Sequence, residues 1–537
     1  MLRVALFLLL AMTPFFIFAN DSLNQNQTQN NTQNNIQNFP DQPPFLPTKA
    51  VTVSLSAPVI PNTPIPLELQ SDLTLQQAIY LGLRHNTDLL TSLNNRQLQN
   101  FDLLTAEQKF QPQFTLNNSI TYAKTSDAGT PDFATQSASV GPGMTWTLPL
   151  GTQLQTSVNY DPTHQSGTAA YSSDQFGYSI TVTQPLLQNF GTAVNEVDLN
   201  NAYDQQIIDD LTLRKTTQTT IINVANAYYA VAAAEQSYQI SERSFDNAQK
   251  ELTKRQAKLA AGQIPATDVT QAQIDLMTQQ QSLESASEAL STAKADFLNT
   301  LGLPPETRFS VEDQVDIKPP TFDLSESLKS ALKNNIDLKI QALQSEQDSR
   351  NIKKSQNSRL WQLNLVVSGA RSHSDTDYDD PDSQDTSQLS SNSSVALNLS
   401  IPLNQVTLDQ TELSSAIALE NQQISEAQEK RTVINNVISA VHNLQSQWLQ
   451  LQISQEKLTL SQASFKAAQV EYHYGKIDAF SLQQQQQSAI DSEQNVVDLK
   501  ISYLKQYMAY EQLVGTLLDH WHVNVTTQNT QNNLKRS

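Results

Sequence analysis

The chain contains no cysteine among its 537 residues. That absence excludes disulfides, thiol catalysis, cysteine zinc sites and a lipid anchor on an amino-terminal cysteine. Basic residues are also scarce, with 33 Lys and Arg against 53 Asp and Glu, and the formal net charge is −20. Because phosphate binding needs clustered Lys and Arg, we expect no nucleic-acid partner. Beyond the amino terminus the sequence has no run of eighteen apolar residues, so it predicts no membrane-spanning helix.

The amino terminus has the features of a secretory signal peptide. A single charge at Arg3 precedes a short apolar run that ends near the small residue Ala19. We therefore predict a signal peptide at 1–19 and export of the remainder. Composition predicts disorder for the Asn-, Gln- and Pro-rich segment 20–70 and for the polar tail 523–537.

Two stretches place a large apolar residue at every seventh position, and the second lies 213 positions after the first. A strict seven-residue spacing keeps one seam of a helix facing a neighbour, so each stretch is predicted to be a coiled-coil helix in a duplicated chain. Small residues follow most of these positions three places on. The apolar positions are Val224, Val231, Tyr238, Phe245, Leu252 and Leu259, and then Val437, Leu444, Leu451, Leu458, Phe465 and Tyr472.

Each series ends at a glycine turn, after which the seven-residue spacing resumes. The turns lie at 262–267 and 475–480, and Gly262 and Gly475 are typical helix stops. Both halves are therefore predicted to fold back as long antiparallel hairpins. From about Asn195 to the first glycine the descending helix covers roughly 65 residues, or roughly 100 Å.

The duplication extends upstream at a different offset. The segment that begins at Leu75 matches one that begins at Leu324, 249 positions later. We therefore divide the chain into a first repeat at 71–318 and a second at 319–522. The change of offset means that the first repeat carries about 36 extra residues, and these are strand-like.

Apolar and small polar residues alternate in several segments between the repeated helices. Such alternation, bounded by polar loops, fits a transmembrane β-barrel, while a soluble β-sandwich remains open as an alternative. A turn is predicted at 148–151 between two of the segments. They are 114–117, 144–148, 154–160 and 176–182 in the first repeat, and 363–370 and 395–401 in the second.

The hairpin tips contain the candidate functional residues. If the two hairpins lie side by side, Asp268 and Tyr472 fall near one level, and a phenol-to-carboxylate hydrogen bond would latch the closed end. Lys476 would add a salt link. The alternative is that Asp268 caps its helix, as Thr267 or Ser481 could, and that Tyr472 only continues the apolar series. The predicted tip and gate residues are Gly262, Ile264, Asp268, Tyr472, Gly475, Lys476 and Asp478.

Several motifs together resemble the TolC family of outer-membrane efflux proteins. They are LTLQQAIYLGLRHNTDL at 73–89, TQPLLQNFGTAVN at 183–195, AYYAVAAAEQS at 227–237, AGQIPATDVTQAQ at 261–273, LGL at 301–303 and LVGTL at 513–517. The resemblance covers roughly 73–517, and the paired order of the motifs is more specific than any one of them.

The resemblance implies an α+β membrane protein of the outer membrane, with its helical part in the periplasm. It implies a homotrimer in which each protomer gives four strands to a twelve-stranded transmembrane β-barrel, continued by a periplasmic α-barrel of duplicated coiled-coil hairpins. The implied function is the exit duct of a tripartite efflux pump or a type I secretion system. The implied partners are outer-membrane lipid, a periplasmic adaptor that opens the tips and an inner-membrane transporter.

The chain departs from the family pattern in two places. The first repeat has more strand-like segments than the usual two, which predicts either a hairpin outside the barrel or a smaller true number of strands. Family members commonly narrow the periplasmic end with acidic residues, where this chain has Ser481 and Gln484. We therefore take Asp478 as the candidate for a constriction ring.

No enzyme is predicted. The acidic segment 375–382 lacks the glycine and the final glutamate of a calcium loop, and no cluster supplies a nucleophile, a general base or a complete metal site. We expect no cofactor and no metal. An exported coiled-coil adhesin or periplasmic scaffold without channel activity remains the alternative function.

Overall fold

The computed structural model describes residues 51–54, 73–126, 132–167, 170–312, 319, 323–379 and 382–526. The predicted signal peptide at 1–19 and most of the two segments predicted to be disordered lie outside these residues. The helices are α1 Leu75–His85, α2 Thr87–Gln108, α3 Thr192–Asn195, α4 Val197–Ala260, α5 Ala266–Leu301, α6 Leu324–Asn334, α7 Ile336–Ser358, α8 Val406–His473, α9 Ala479–Val514 and α10 Leu517–His520. The strands are β1 Val51–Ser54, β2 Gln113–Thr125, β3 Phe133–Thr147, β4 Gln153–Gly167, β5 Tyr171–Pro185, β6 Gln362–Tyr378, β7 Thr386–Ser400 and β8 Val523–Thr526.

The helices α4 and α8 are the longest, with 64 and 68 residues. Each packs against the helix that follows it, α4 on α5 and α8 on α9, so the chain contains two long antiparallel helical hairpins. The prediction of a first long helix of roughly 65 residues is confirmed. Its apolar positions Val224 and Val231 are fully buried because α1 also covers this part of α4, whereas Leu259 near the turn is exposed.

Two pairs of shorter helices repeat one local design. The side chain of Asn86 caps α2 by accepting a hydrogen bond from the Leu89 N–H at 3.0 Å. Asn335 caps α7 in the same way, accepting from the Leu338 N–H at 3.1 Å. The two asparagines are 249 positions apart, as the duplication predicts. α1 then packs so closely on α4 that a Cβ at Gly82 would lie 2.5 Å from the Val224 side chain.

The strands β2 to β7 form one antiparallel sheet in chain order. Its registers are long: β2 and β3 pair without a break from Gln113 opposite Thr145 to Thr125 opposite Phe133. This chain thus places six strands in one sheet, two more than the four that the resemblance implies for each protomer. Most strands also extend beyond the predicted segments, since ladder hydrogen bonds continue where the side-chain alternation becomes purely polar.

One face of this sheet is apolar across all six strands, and the other carries mainly small polar side chains. The apolar face follows from the register, since Met144 pairs with Phe114 and Val182 pairs with both Leu154 and Val367. Exposed apolar residues on this face include Phe114, Leu116, Ile120, Val140, Val158, Phe176, Ile180, Val367, Val395 and Leu397. Within the described part of the chain, none of the helices combines the length and the apolar character that a bilayer crossing requires.

A second, two-stranded sheet lies in segments for which composition predicts disorder. β1 and β8 pair in parallel, from Val51 opposite Val523 to Ser54 opposite Thr526. Val523 is buried in the core that α1, α4 and α5 share. The structure differs from the expectation here because the two segments pair through their backbones, and Val523 packs on an apolar surface that the local sequence does not reveal.

Candidate functional site

The two hairpin tips are built alike. Each long helix ends just before a glycine with positive φ, +70° at Gly262 and +71° at Gly475. The chain then closes the helix with paired backbone bonds: the Gln263 N–H donates to the Lys258 carbonyl at 2.9 Å, and the Lys476 N–H donates to the Glu471 carbonyl at 2.9 Å. This is the glycine helix stop that the sequence predicts.

The helices that follow the turns start differently from the prediction. α5 begins after Pro265, and no side chain caps it. α9 is capped by Asp478, whose carboxylate accepts a hydrogen bond from the Ser481 N–H at 2.8 Å. Thr267, Asp268 and Ser481 are therefore not the caps. Asp268 lies in the first turn of α5, where its charge faces the positive end of the helix dipole.

Hydrogen bonds from the Ser481 side chain and backbone hold the pKa of the exposed Asp478 carboxyl below its usual value. The ionised cap therefore stabilises the start of α9 at every pH above the ordinary Asp value, and the contribution disappears as the pH falls through the lowered pKa.

We expect Asp478→Ala to speed amide exchange at 479–482 several-fold at neutral pH, measured by hydrogen–deuterium exchange. Asp478→Ser, which keeps a capping oxygen, should exchange nearly as the wild type does, and equal protection in Asp478→Ala would contradict the cap.

Arg255 connects three of the four long helices near the tips. The residue is only 3% exposed although it carries a charge. Its Nε donates to Glu251 on α4 at 3.2 Å, and its Nη1 donates to the backbone carbonyl of Asp268 on α5 at 3.3 Å. Its guanidinium carbon lies 5.8 Å from the ring centre of Tyr472 on α8. Lys258 also approaches that ring, with Nζ at 5.3 Å.

The structure brings Asp268 and Tyr472 to one level, but Arg255 mediates between them. Among the described residues, no hydrogen bond joins the Tyr472 hydroxyl to the Asp268 carboxylate. Burial raises the pKa of Tyr472, an effect that the neighbouring Arg255 partly opposes. Lys476, exposed at the second turn, makes no ion pair with the described part of the chain. The direct latch and the lysine salt link are thus replaced by an arginine between the two hairpins.

Sequence reasoning missed Arg255, although a signal was present. Small residues recur three positions after the large apolar ones, at Ala227, Ala234, Ser241 and Ala248. Arg255 occupies the next position of that series. The long, charged side chain of Arg255 stands where the series has small residues, so it needs polar or aromatic partners. The adjoining helices α5 and α8 supply them. Its counterpart in the second repeat, 213 positions later, is the expected small residue, alanine.

Further contacts tie the two hairpins together above the tips. The Gln483 side chain on α9 donates to Asp275 on α5 at 2.6 Å. The Arg243 guanidinium on α4 donates to Glu493 on α9 at 2.7 Å. A small cavity of about 50 Å³ lies between α4, α5 and α9, with Arg255 in its wall. The hairpin ends are thus joined by polar side chains rather than by a continuous apolar seam.

The outermost residues of the tips are accessible. Tyr474 and Phe480 on the second tip are strongly exposed, and Ile264 on the first is half-buried. Apart from the adjoining residues, no atom in the described part of the chain lies within 4 Å of where a Cβ would stand at Gly262 or Gly475. The tips therefore offer apolar side chains and open backbone on a surface without covering elements from the described residues.

A family model described as outer membrane efflux protein matches residues 152–303 and 327–516, more than half of the chain. The chain belongs to the outer membrane efflux protein family. Its location is accordingly the outer membrane, and its family consists of transport channels rather than enzymes. The predicted TolC-family resemblance is confirmed.

Individual relatives agree with the family assignment. The outer membrane protein TolC of Salmonella enteritidis is 26% identical over 329 residues, which cover 58% of this chain and 64% of that protein. The outer membrane protein TolC of Escherichia coli strain K12 is 24% identical over 332 residues, with the same two shares. The match therefore spans 64% of the length of these relatives.

A solved structure extends the likeness to the fold. The CmeC outer membrane channel of Campylobacter jejuni superposes with a TM-score of 0.63, covering 86% of this chain and 88% of that chain. The sequences are only 13% identical, so this likeness concerns the fold alone.

Proposed function

We propose that three copies of this chain form a passive exit duct across the outer membrane. The observation that carries the proposal is the six-stranded sheet, whose apolar face is continuous and whose opposite face is polar. Alternation of this kind suits a wall with lipid on one side and water on the other. The long hairpins, each roughly 100 Å, would continue the passage into the periplasm as an α-barrel of coiled coils.

The tips act as the gate of this duct. In the closed state Arg255 holds the first hairpin to the second through Tyr472, while Asp268 anchors the guanidinium through its carbonyl oxygen. Opening separates the hairpins at this contact. Asp478, exposed and ionised at neutral pH, supplies an acidic ring around the narrow end.

A periplasmic adaptor docks on the tips and favours the open state. Its contacts are the exposed turns at Gly262, Ile264, Gly475 and Lys476, which carry no covering element among the described residues. Since the family consists of channels rather than enzymes, an inner-membrane transporter drives the cargo. The assembly is a tripartite efflux pump or a type I secretion system, and the cargo is selected by the transporter.

Reconstitution tests the duct directly. Protein purified from outer membranes should run as a trimer and open ion-conducting channels in planar bilayers. Because the net charge is −20, we expect a negative lumen and a reversal potential that favours cations in a salt gradient. Anion preference would contradict the negative lumen, and a trimer without any conductance would contradict the duct.

A further inference from the structure

The β3–β4 hairpin is the part of the sheet that the duplication does not explain. The first residue of β2 lies 249 positions before the first residue of β6, and the last residue of β5 lies 215 positions before the last residue of β7. These four strands therefore have counterparts in the other repeat. β3 and β4 have none. The hairpin at 133–167 therefore corresponds to the roughly 36 extra residues of the first repeat.

The inserted hairpin runs along the whole length of the sheet. β3 pairs with β2 over all thirteen residues of that strand, which are opposite residues 133–145. β4 pairs with β5 from Gln153 opposite Thr183 to Gln165 opposite Tyr171. β3 and β4 therefore join β2 to β5, and a sheet without them would have no hydrogen bonds between its first strand and the rest.

The turn of the hairpin is fixed to the helical end of the sheet. The predicted turn at 148–151 is confirmed, with the Gly151 N–H donating to the Leu148 carbonyl at 2.8 Å. The Leu150 carbonyl accepts from the Gly191 N–H at 3.1 Å, at the junction between β5 and α4. Near the turn, the Trp146 indole N–H donates to the Phe110 carbonyl at 2.9 Å, at the end of α2. A hairpin outside the wall would not make these contacts.

The side chains of the hairpin continue both faces of the sheet. Val140 on β3 pairs with Tyr160 on β4, and Tyr160 pairs with Phe176 on β5, all on the apolar face. On the other face Ser157 pairs with Ser179, and their hydroxyls lie 2.8 Å apart. The inserted strands thus have the same apolar and polar sides as the strands with counterparts.

The sheet ends at β2 and β7, whose outer edges pair with no strand among the described residues. Every residue of β2 except Thr125, and every residue of β7 except Ala396, is exposed, whichever face of the sheet its side chain lies on. Unpaired backbone N–H and C=O groups are not tolerated in contact with lipid hydrocarbon. Because six strands alternate in direction, β2 and β7 run oppositely, so β7 of one copy meets β2 of another in an antiparallel pair. Six strands alone are too few to close around an aqueous interior.

We propose that β2 of each copy pairs with β7 of the next, and that three copies close a single barrel of eighteen strands. This inference rests on the proposed trimeric duct. With strands about 4.8 Å apart and tilted by about 40°, eighteen strands give a backbone diameter of about 36 Å, against about 24 Å for twelve. The inserted hairpin therefore widens the outer mouth by about half.

Cysteine cross-linking tests the pairing, because the chain has no cysteine of its own. Ser119→Cys on β2 is combined with one cysteine at a time on the polar face of β7, and the protein is oxidised in outer membranes. Several β7 positions are needed because the tilt of the strands shifts the register between copies. We expect one or two adjacent positions to yield covalent trimers on non-reducing gels. The β7 positions are Gln388, Ser390, Asn392, Ser394, Ala396 and Asn398.

Two matched pairs serve as controls. Ser368→Cys with Ser394→Cys joins β6 to β7 within one chain, where the hydroxyls lie 2.7 Å apart, so it should oxidise without a change in mass. Asn159→Cys on β4, combined with the same β7 positions, tests the alternative that β2 and β3 lie outside the barrel. If only β4 to β7 formed the barrel, β4 would meet β7 of the next copy and the Asn159 series would give the trimers.

The outcomes separate this inference from the proposed function. Trimers from the Ser119 series support eighteen strands. Trimers from the Asn159 series, or cross-links of the Ser119 series within one chain, overturn eighteen strands. A duct that conducts but gives Asn159 cross-links keeps the proposed function and loses only the inference. End-on electron cryo-microscopy of the unmodified trimer gives a second readout, in which twelve strands would overturn it.

Discussion

Replacing Arg255 by methionine is expected to open the duct in the absence of any adaptor. The guanidinium–Tyr472 contact is the interaction through which Arg255 joins the first hairpin to the second. A partly desolvated cation on an aromatic ring contributes about 2 kcal/mol, so its loss should shift the closed-to-open equilibrium about 30-fold. The open probability of single channels in planar bilayers measures this shift.

The same substitution should leave the fold intact. Arg255 is almost completely buried, and methionine fills similar space without a charge that needs partners. The carboxylate left behind, Glu251, is 29% exposed and lies 3.8 Å from Lys254, so its charge stays solvated and paired rather than buried alone. A gain in open probability with unchanged thermal unfolding would therefore locate the effect at the gate.

Arg243→Met is the matched control on the same helix. Arg243 also reaches across to the second hairpin, through Glu493 on α9, but its side chain is 62% exposed. Exposed ion pairs contribute about 0 to 1 kcal/mol, so this variant should change the open probability less than about 5-fold. A double-mutant cycle between Arg255→Met and Tyr472→Leu should show effects that are not additive. Unchanged gating in Arg255→Met would remove Arg255 from the gate.

The sequence predicts the helices better than the site. The seven-residue spacing and the glycines locate both hairpins because each signal is local and is repeated at 213 positions. The role of Arg255 was not predicted because it depends on Asp268 and Tyr472, which lie on two other helices. No local sequence pattern brings these residues together. The predicted latch placed Asp268 and Tyr472 at the same level, as the structure does, but it did not include Arg255, which contacts both.

The strands show a second limit of local patterns. Alternation marks the segments 144–148 and 176–182, where apolar residues face one side. It fades in the polar half of β6, which continues to Tyr378 because backbone pairing with β5 does not require apolar side chains. The sequence also could not decide whether the extra segments join the sheet, since that depends on pairing with strands far apart in the chain.

Gly302→Ala should be the most destabilising single methyl addition at a helix end of this chain. Gly302 ends α5 with φ of +74°, a conformation that costs an alanine about 1 kcal/mol. The added Cβ would also collide with the backbone carbonyl of His85, at the end of α1. Because backbone atoms cannot rotate away, α1 must move from its place on α5. We expect a total loss of about 3 kcal/mol, which thermal unfolding followed by helical circular dichroism measures.

Gly262→Ala separates the collision from the strain. Gly262 has nearly the same φ, +70°, but nothing lies within 4 Å of the added Cβ. It should lose only the conformational part, about 1 kcal/mol. Gly515 is the counterpart of Gly302 at 213 positions. A Cβ added there would lie 2.7 Å from the Asn334 side chain and 3.2 Å from its backbone, so Gly515→Ala should be destabilised nearly as much as Gly302→Ala. Equal losses of unfolding free energy in Gly302→Ala and Gly262→Ala would mean that α1 can move away from α5 at little cost. Close backbone packing at these glycines would then not be needed for the stability of the two repeats.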